Sequence, residues 1–182
     1  MGMEREVQEE AMSKPSFSIC VISKDGANTL PRLAASLKEF LSRGGEWVLV
    51  STGSTDRTVE LAKALGAITY EVGERFMITI DGDMAKAINE RFVVEGEEPV
   101  VHEGSRLFHF ANARNYCASL ATNDWVSWAD DDEAFTVLDI DKIEKIIADP
   151  DLDHCEYSFV FCHGPDGVTP AVSFTQSKKY RR

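Results

Sequence analysis

Positive charge is scarce in this chain: 19 Lys and Arg stand against 31 Asp and Glu, a formal net charge of −12 over 182 residues. That deficit argues against a broad phosphate-binding surface, and so against nucleic acid as a partner, while leaving room for a local basic pocket. Cysteine is also sparse and unpaired in pattern. Cys20, Cys117, Cys155 and Cys162 form no C-x-x-C, and His102, His109, His154 and His163 are scattered, which excludes a zinc site of ordinary spacing. No apolar run is long enough to span a membrane, no secretory signal opens the chain, and no repeat is present. Gly2 is followed by Glu6 where a myristoylation pattern wants Ser or Thr. A cytoplasmic protein with buried free thiols is the expectation. Both glycine-rich nucleotide fingerprints, G-x-G-x-x-G and G-x-x-x-x-G-K-[ST], are absent as well.

What is present reads as an α/β domain. Its length suits one well-buried unit. Residues 1–15 read as a flexible arm and 16–182 as the domain. Phe17 to Ile22 is a buried strand, and Leu30, Leu33, Leu37 and Leu41 recur at helical spacing until Gly44-Gly45 stops the helix. Glu46 to Val50 is a second strand, followed by the tight turn Ser51-Thr-Gly-Ser-Thr55. The next helix carries Val59, Ala62 and Leu65, with Ser54 or Thr55 as its expected cap, and Ala67 to Val72 is a third strand. This alternation predicts a mostly parallel central sheet with helices on both faces. From about 73 to 109 the alternation breaks, which suggests an inserted lobe. A helix from Phe110 to Ala121 and a strand from Asp124 to Ala129 follow, then a helix with Ile140, Ile143 and Ile147. Two strands, His154 to Cys162 and Val168 to Phe174, turn at Gly164-Pro-Asp-Gly167.

The strand at Trp125–Ala129 runs straight into Asp130-Asp131-Asp132-Glu133. Like charges crowded at the carboxyl edge of a sheet repel unless a cation sits among them, and hard oxygen ligands suit Mg²⁺ or Mn²⁺. The plainer alternative is a solvated acidic loop in which Asp131 and Glu133 cap a helix. A second D-x-D, Asp81-Gly82-Asp83, also follows an apolar run, but there Asp83 reads as a helix cap.

The order of these pieces resembles a family-two glycosyltransferase of the GT-A fold. The resemblance is carried by Ile19-Cys-Val-Ile-Ser-Lys24, Val48-Leu-Val-Ser-Thr-Gly-Ser-Thr-Asp-Arg-Thr-Val-Glu-Leu-Ala62, Phe110-Ala-Asn-Ala-Arg-Asn115 and Asp130-Asp-Asp-Glu133. It implies a single Rossmann-like domain that binds a nucleotide-diphospho-sugar donor, with a UDP-sugar expected, and transfers a hexose to a hydroxyl acceptor with inversion. It places Ser23, Lys24, Ser51 and Thr52 at base and ribose, and Arg114 at the diphosphate or base. It places Asp130 and Asp131 at the nucleotide, and Asp130 and Asp132 at the cation. Two departures stand out. Ser51 replaces the family's usual Asp, and no acidic motif for a catalytic base follows Phe174, leaving Asp166 and Glu156 as substitutes or the chain as a truncated, donor-binding form. A nucleotidyltransferase and a nucleotide-sugar-binding module without catalysis are the competing functions.

Overall fold

The computed structural model describes residues 14–163 and 170–181, with side chains placed for residues 14–156. Asp166 and the 164–167 turn lie outside the described residues, as does most of the arm expected at 1–15. Strands β1 (Phe17–Ser23) and β2 (Glu46–Ser51) form the centre of the sheet. Both read as near-continuous apolar runs because both of their faces are covered. Odd-numbered residues of β1 (Phe17, Ile19, Val21) join Trp47 and Leu49 in one core, and Cys20 joins Val48 and Val50 in the other. Helices α1 (Leu30–Ser36), α2 (Lys38–Ser42), α3 (Thr58–Ala64) and α6 (Ile140–Ile147) contribute to the first core, and α5 (Phe110–Leu120) covers the second. Each fully buried Leu or Phe there stabilises the fold by about 1.5–3 kcal/mol relative to exposure. The mostly parallel α/β arrangement with helices on both faces is therefore what the chain adopts.

With β3 (Ile68–Glu71), β6 (Trp125–Trp128), β7 (His154–His163) and β8 (Pro170–Arg181), the six-stranded sheet runs β3-β2-β1-β6-β8-β7. The first four strands are parallel; β8 is antiparallel to β6 and to β7. The chain steps outward from β1 through β2 to β3, then returns to lay β6 on the other side of β1. The crevice between the carboxyl ends of β1 and β6 is thus the topological switch point, where open α/β sheets bind ligands.

Several expectations need correction. The single helix expected across Leu30, Leu33, Leu37 and Leu41 is two, broken at Leu37, which has φ −95° and ψ 3°. The last strand does not stop at Phe174; it continues to Arg181, with Trp125 opposite Arg181 and Ser127 opposite Lys179. Residues 73–109 hold a separate antiparallel pair, β4 (Met77–Thr79) with β5 (Arg106–Phe108), and α4 (Gly82–Phe92) between them. Among the described residues no helix is long and apolar enough to cross a membrane.

At the amino end of the sheet, away from the switch point, the buried Glu46 fastens the loop before β6. Its carboxylate accepts from Ser18 Oγ, from Thr122 N at 2.8 Å and from Thr122 Oγ1 at 2.8 Å. Burial opposes its ionisation, yet these hydrogen bonds together outweigh that and hold its pKa below the ordinary value. Cys117 is equally internal: its thiol donates weakly to the carbonyls of Val21 and Val48.

Candidate functional site

A cleft of about 440 Å³ opens at the switch point. One side is lined by Ile22, Ser23 and Lys24 from the end of β1, Thr52 after β2, and Asp130, Asp131 and Asp132 after β6. The other side comes from residues 73–110: Glu74, Met77, Phe108 and Phe110. Thus Ser23, Lys24, Thr52 and the three aspartates, proposed from distant parts of the sequence, share one cavity.

The β1 and β6 ends are joined across the crevice by the hydroxyl of Ser23, which donates to Asp131 Oδ2. This corrects the helix-cap alternative for Asp131: residues 131 and 132 form a turn, and the next helix begins at Ile140 with Asp139 as its cap. Glu133 instead closes the turn, its carboxylate accepting from Asp130 N at 3.0 Å. Gly26 makes the close approach possible. A Cβ there would lie 2.5 Å from Ser23 Oγ and closer still to Asp131 Oδ2, so no larger residue fits without moving the pair.

Arg114, on α5, donates to Asp130 Oδ1 at 2.7 Å. Both members are part-exposed, so the pair adds little stability on its own. Its value is positional, since it brings a guanidinium to the acidic loop. Arg32, on α1, reaches the same loop and donates to the carbonyl of Asp132. Burial, followed by the neighbouring charges of Asp132 and Asp130, pushes the Asp131 carboxyl up, and the Ser23 hydrogen bond only partly offsets this. An acidic cluster whose inner member resists ionisation is one that a cation would relieve.

The β2 turn is built differently from the expectation. Ser51 is buried and is not among the residues lining the cleft; its hydroxyl donates to Ser54 Oγ at 2.9 Å. Ser54 Oγ in turn accepts from Asp25 N at 3.1 Å. Asp25 adopts a left-handed backbone, φ 55°, and its carboxylate accepts from Thr55 N at 2.7 Å. Neither Ser54 nor Thr55 caps α3. The cap position is Arg57, which makes no side-chain cap hydrogen bond; Asp56 just before it accepts from Thr58 N at 2.9 Å and also from Ala27 N at 3.2 Å. Thr52 N donates to the carbonyl of Ser23 at 2.9 Å, which ties the two strand ends together. Lys24 is exposed at the rim, and its charge helps hold the Glu74 carboxyl below its ordinary value, after the larger effect of Arg106, 2.7 Å away.

The lobe's contribution to the cleft was not legible in the sequence. Met77 and Phe108 are direct partners across β4 and β5, and both line it. Only the alternation Phe108-His109-Phe110 hinted that two rings share a direction. The other D-x-D is spent on a helix start, with Asp81, not Asp83, capping α4 by accepting from Met84 N at 2.8 Å. Trp125 belongs to the first core and Trp128 packs against the second; neither lines the cleft. Glu156 sits on β7 opposite Ser177, outside the lining, and Asp166 is not described.

The donor set is all hard oxygen, which fits Mg²⁺ or Mn²⁺. Among the described residues no three His, Cys, Asp or Glu side chains converge as a closed metal cage. One or two carboxylates completed by substrate phosphates is the coordination such ions commonly take beside nucleotides, and Asp130 and Asp132 can supply that much.

No family model matches the chain, and no curated protein matches it. Solved structures do. S. aureus TarS 1-349 in complex with UDP is 17% identical, with a TM-score of 0.47, covering 79% of this chain and 34% of its own. Mannosyl-3-phosphoglycerate synthase from Rubrobacter xylanophilus is 15% identical, with a TM-score of 0.47, covering 77% and 38%. Glucosyl-3-phosphoglycerate synthase from Mycobacterium tuberculosis, in complex with Mn²⁺, UDP and phosphoglyceric acid, is 19% identical, with a TM-score of 0.37, covering 64% and 33%. The chain spans about a third of the length of these structures.

Proposed function

We propose that this chain is the donor-binding domain of a GT-A glycosyltransferase, family-two-like, which takes a hexose from a nucleotide-diphospho-sugar, a UDP-sugar in the first instance, to a hydroxyl acceptor. One observation carries the reading. The cleft at the β1/β6 switch point gathers an alcohol and a carboxylate cluster, joined by the Ser23–Asp131 bridge, and one of those carboxylates, Asp130, carries the Arg114 guanidinium. In this reading the nucleotide lies along the ends of β1 and β2, against Ser23, Lys24 and Thr52. Ser51 supports it from beneath through the Ser54 and Asp25 hydrogen bonds, without direct contact.

Asp130 and Asp132 would hold a divalent cation, which when bound neutralises charge building on the leaving diphosphate. The chain's own residues do the rest. Arg114 brings a second positive charge to the same phosphates, worth most when water is excluded. Its pairing with Asp130 holds it in position before the donor arrives. Asp131, fixed by Ser23, shapes the floor and keeps the loop from collapsing into the crevice. We further propose that residues 73–109 are an insertion in this domain and that the protein works in the cytoplasm, a setting the buried thiols Cys20 and Cys117 suit.

Calorimetric titration of UDP with and without Mn²⁺, on the wild type and on Asp132→Asn, tests the reading. Metal-dependent binding that weakens more than ~100-fold in the variant is expected, since even outer-shell changes commonly cost 10–100-fold. A folded wild type that binds neither UDP nor any other nucleoside diphosphate would sink it. Binding without turnover of any UDP-sugar would instead favour a binding module.

A further inference from the structure

The lobe side of the cleft is apolar and aromatic, in contrast to the strand-end side. Phe108 and Phe110 meet edge to face, ring centroids 4.7 Å apart, and Met77 stands directly across from Phe108. Phe110 is 61% exposed, a large ring left in water at the mouth of a cavity. The backbone holding it is fixed: His109 N donates to the carbonyl of Phe76 at 2.8 Å, and His109 Nδ1 accepts from Asn112 N at 3.2 Å as the cap of α5. An exposed aromatic on so braced a segment is pre-organised for contact.

Charge narrows what that contact is. Among the described residues lining the cleft, Glu74, Asp130, Asp131 and Asp132 are acidic and Lys24 is the sole cation. The nearby arginines are engaged: Arg106 with Glu74, Arg114 with Asp130, and Arg75 over the Tyr116 ring at 4.4 Å. A phosphorylated or carboxylated acceptor would meet four carboxylates, and the lobe arginines nearby, Arg75 and Arg106, are already held by Tyr116 and Glu74. A pyranose ring would bring no charge against them. Its C–H face is apolar and suits an aromatic wall, while its hydroxyls donate to carboxylates.

Resting on the donor reading above, we propose that the acceptor is a neutral carbohydrate whose ring lies against Phe108 and Phe110. The nucleotide occupies the strand-end side, and the acceptor approaches over the lobe.

Saturation-transfer NMR on the UDP-loaded protein tests this, with methyl glucoside, methyl galactoside, methyl mannoside, methyl N-acetylglucosaminide and glucose 6-phosphate as probes. At least one neutral glycoside should give a signal that falls three-fold or more in Phe110→Ala and in Phe108→Ala. UDP affinity should stay within two-fold, and the 6-phosphate should give a weaker signal than its neutral counterpart. The inference is overturned if no glycoside signal depends on either ring, or if the 6-phosphate binds better. It is also overturned if Phe110→Ala leaves glycoside signals intact and weakens UDP-glucose relative to UDP, which would give the wall to the donor's own hexose. Loss of UDP binding by the folded wild type overturns the donor reading by itself, a result distinct from failure of the glycoside arm.

Discussion

Two stretches of this molecule share a pattern and differ in everything that surrounds it. Asp81-Gly82-Asp83 and Asp130-Asp131-Asp132 are both D-x-D strings after apolar runs. The first ends a three-residue strand on an exposed lobe, and its leading carboxylate is consumed in capping α4. The second ends a strand held between β1 and β8, faces a cavity, and has its inner carboxylate pinned by a serine from another strand. The same three letters make a helix start in one place and a candidate ligand site in the other. Topology decides, because only at the switch point do strand ends diverge and leave a crevice.

The sharpest way to break that comparison is to make the same change in both. Asp132→Asn should remove metal-dependent UDP binding, whereas Asp83→Asn should leave it within two-fold; equal losses would abolish the distinction. The two central glycine environments give the next largest effect. Gly26→Ala forces a methyl into the Ser23–Asp131 pair, and overpacking of this kind costs about 1–3 kcal/mol. Gly82→Ala meets only the end of the Glu103 side chain, Oε2 at 3.6 Å, and should stabilise by ~0.4–1 kcal/mol through the unfolded chain. Urea midpoints moving in opposite directions would confirm the contrast.

The smallest effect concerns pH. Asp131 has its pKa raised, chiefly by burial and then by Asp132 and Asp130. The folded protein therefore holds this proton more tightly than the unfolded chain does. That contribution is fully present below the unfolded value of 3.8 and is lost as pH rises through the raised folded value. Asp131→Asn escapes the loss, so its urea midpoint should exceed the wild type's at neutral pH, by less than about 1 kcal/mol given its partial exposure. The advantage should shrink as pH falls toward 3.8. A gain that persists unchanged at low pH would point to packing in place of charge.

Much of the parallel core was legible in the sequence for a physical reason. β1, β2 and β6 are covered on both faces, so their letters are mostly apolar. The site residues at their ends followed from that placement, and Ser23, Lys24, Thr52 and the aspartates do line one cleft. What escaped notice was structure whose letters carry no apolar pattern. The tail of β8, Thr175-Gln-Ser-Lys-Lys-Tyr-Arg181, is polar and offers no apolar alternation, yet its backbone pairs with β6. β4 and β5 are three residues each and are separated by a helix, so no hairpin signal joins them. The direction of the Ser51 side chain was not legible either, because it follows from hydrogen bonds with Ser54 that the letters do not show.

The Ser23–Asp131 bridge spans 108 residues of chain. Bringing ends that far apart together costs about 4 kcal/mol in loop entropy, before any contact rewards it. Pairings so distant in sequence form late and slowly compared with local helices. On a ribosome, β1, β2 and their helices can assemble while the cleft does not yet exist in any partial form. Half the site therefore has no stage of its own to mature in; it arrives complete, when β6 docks, or it does not arrive.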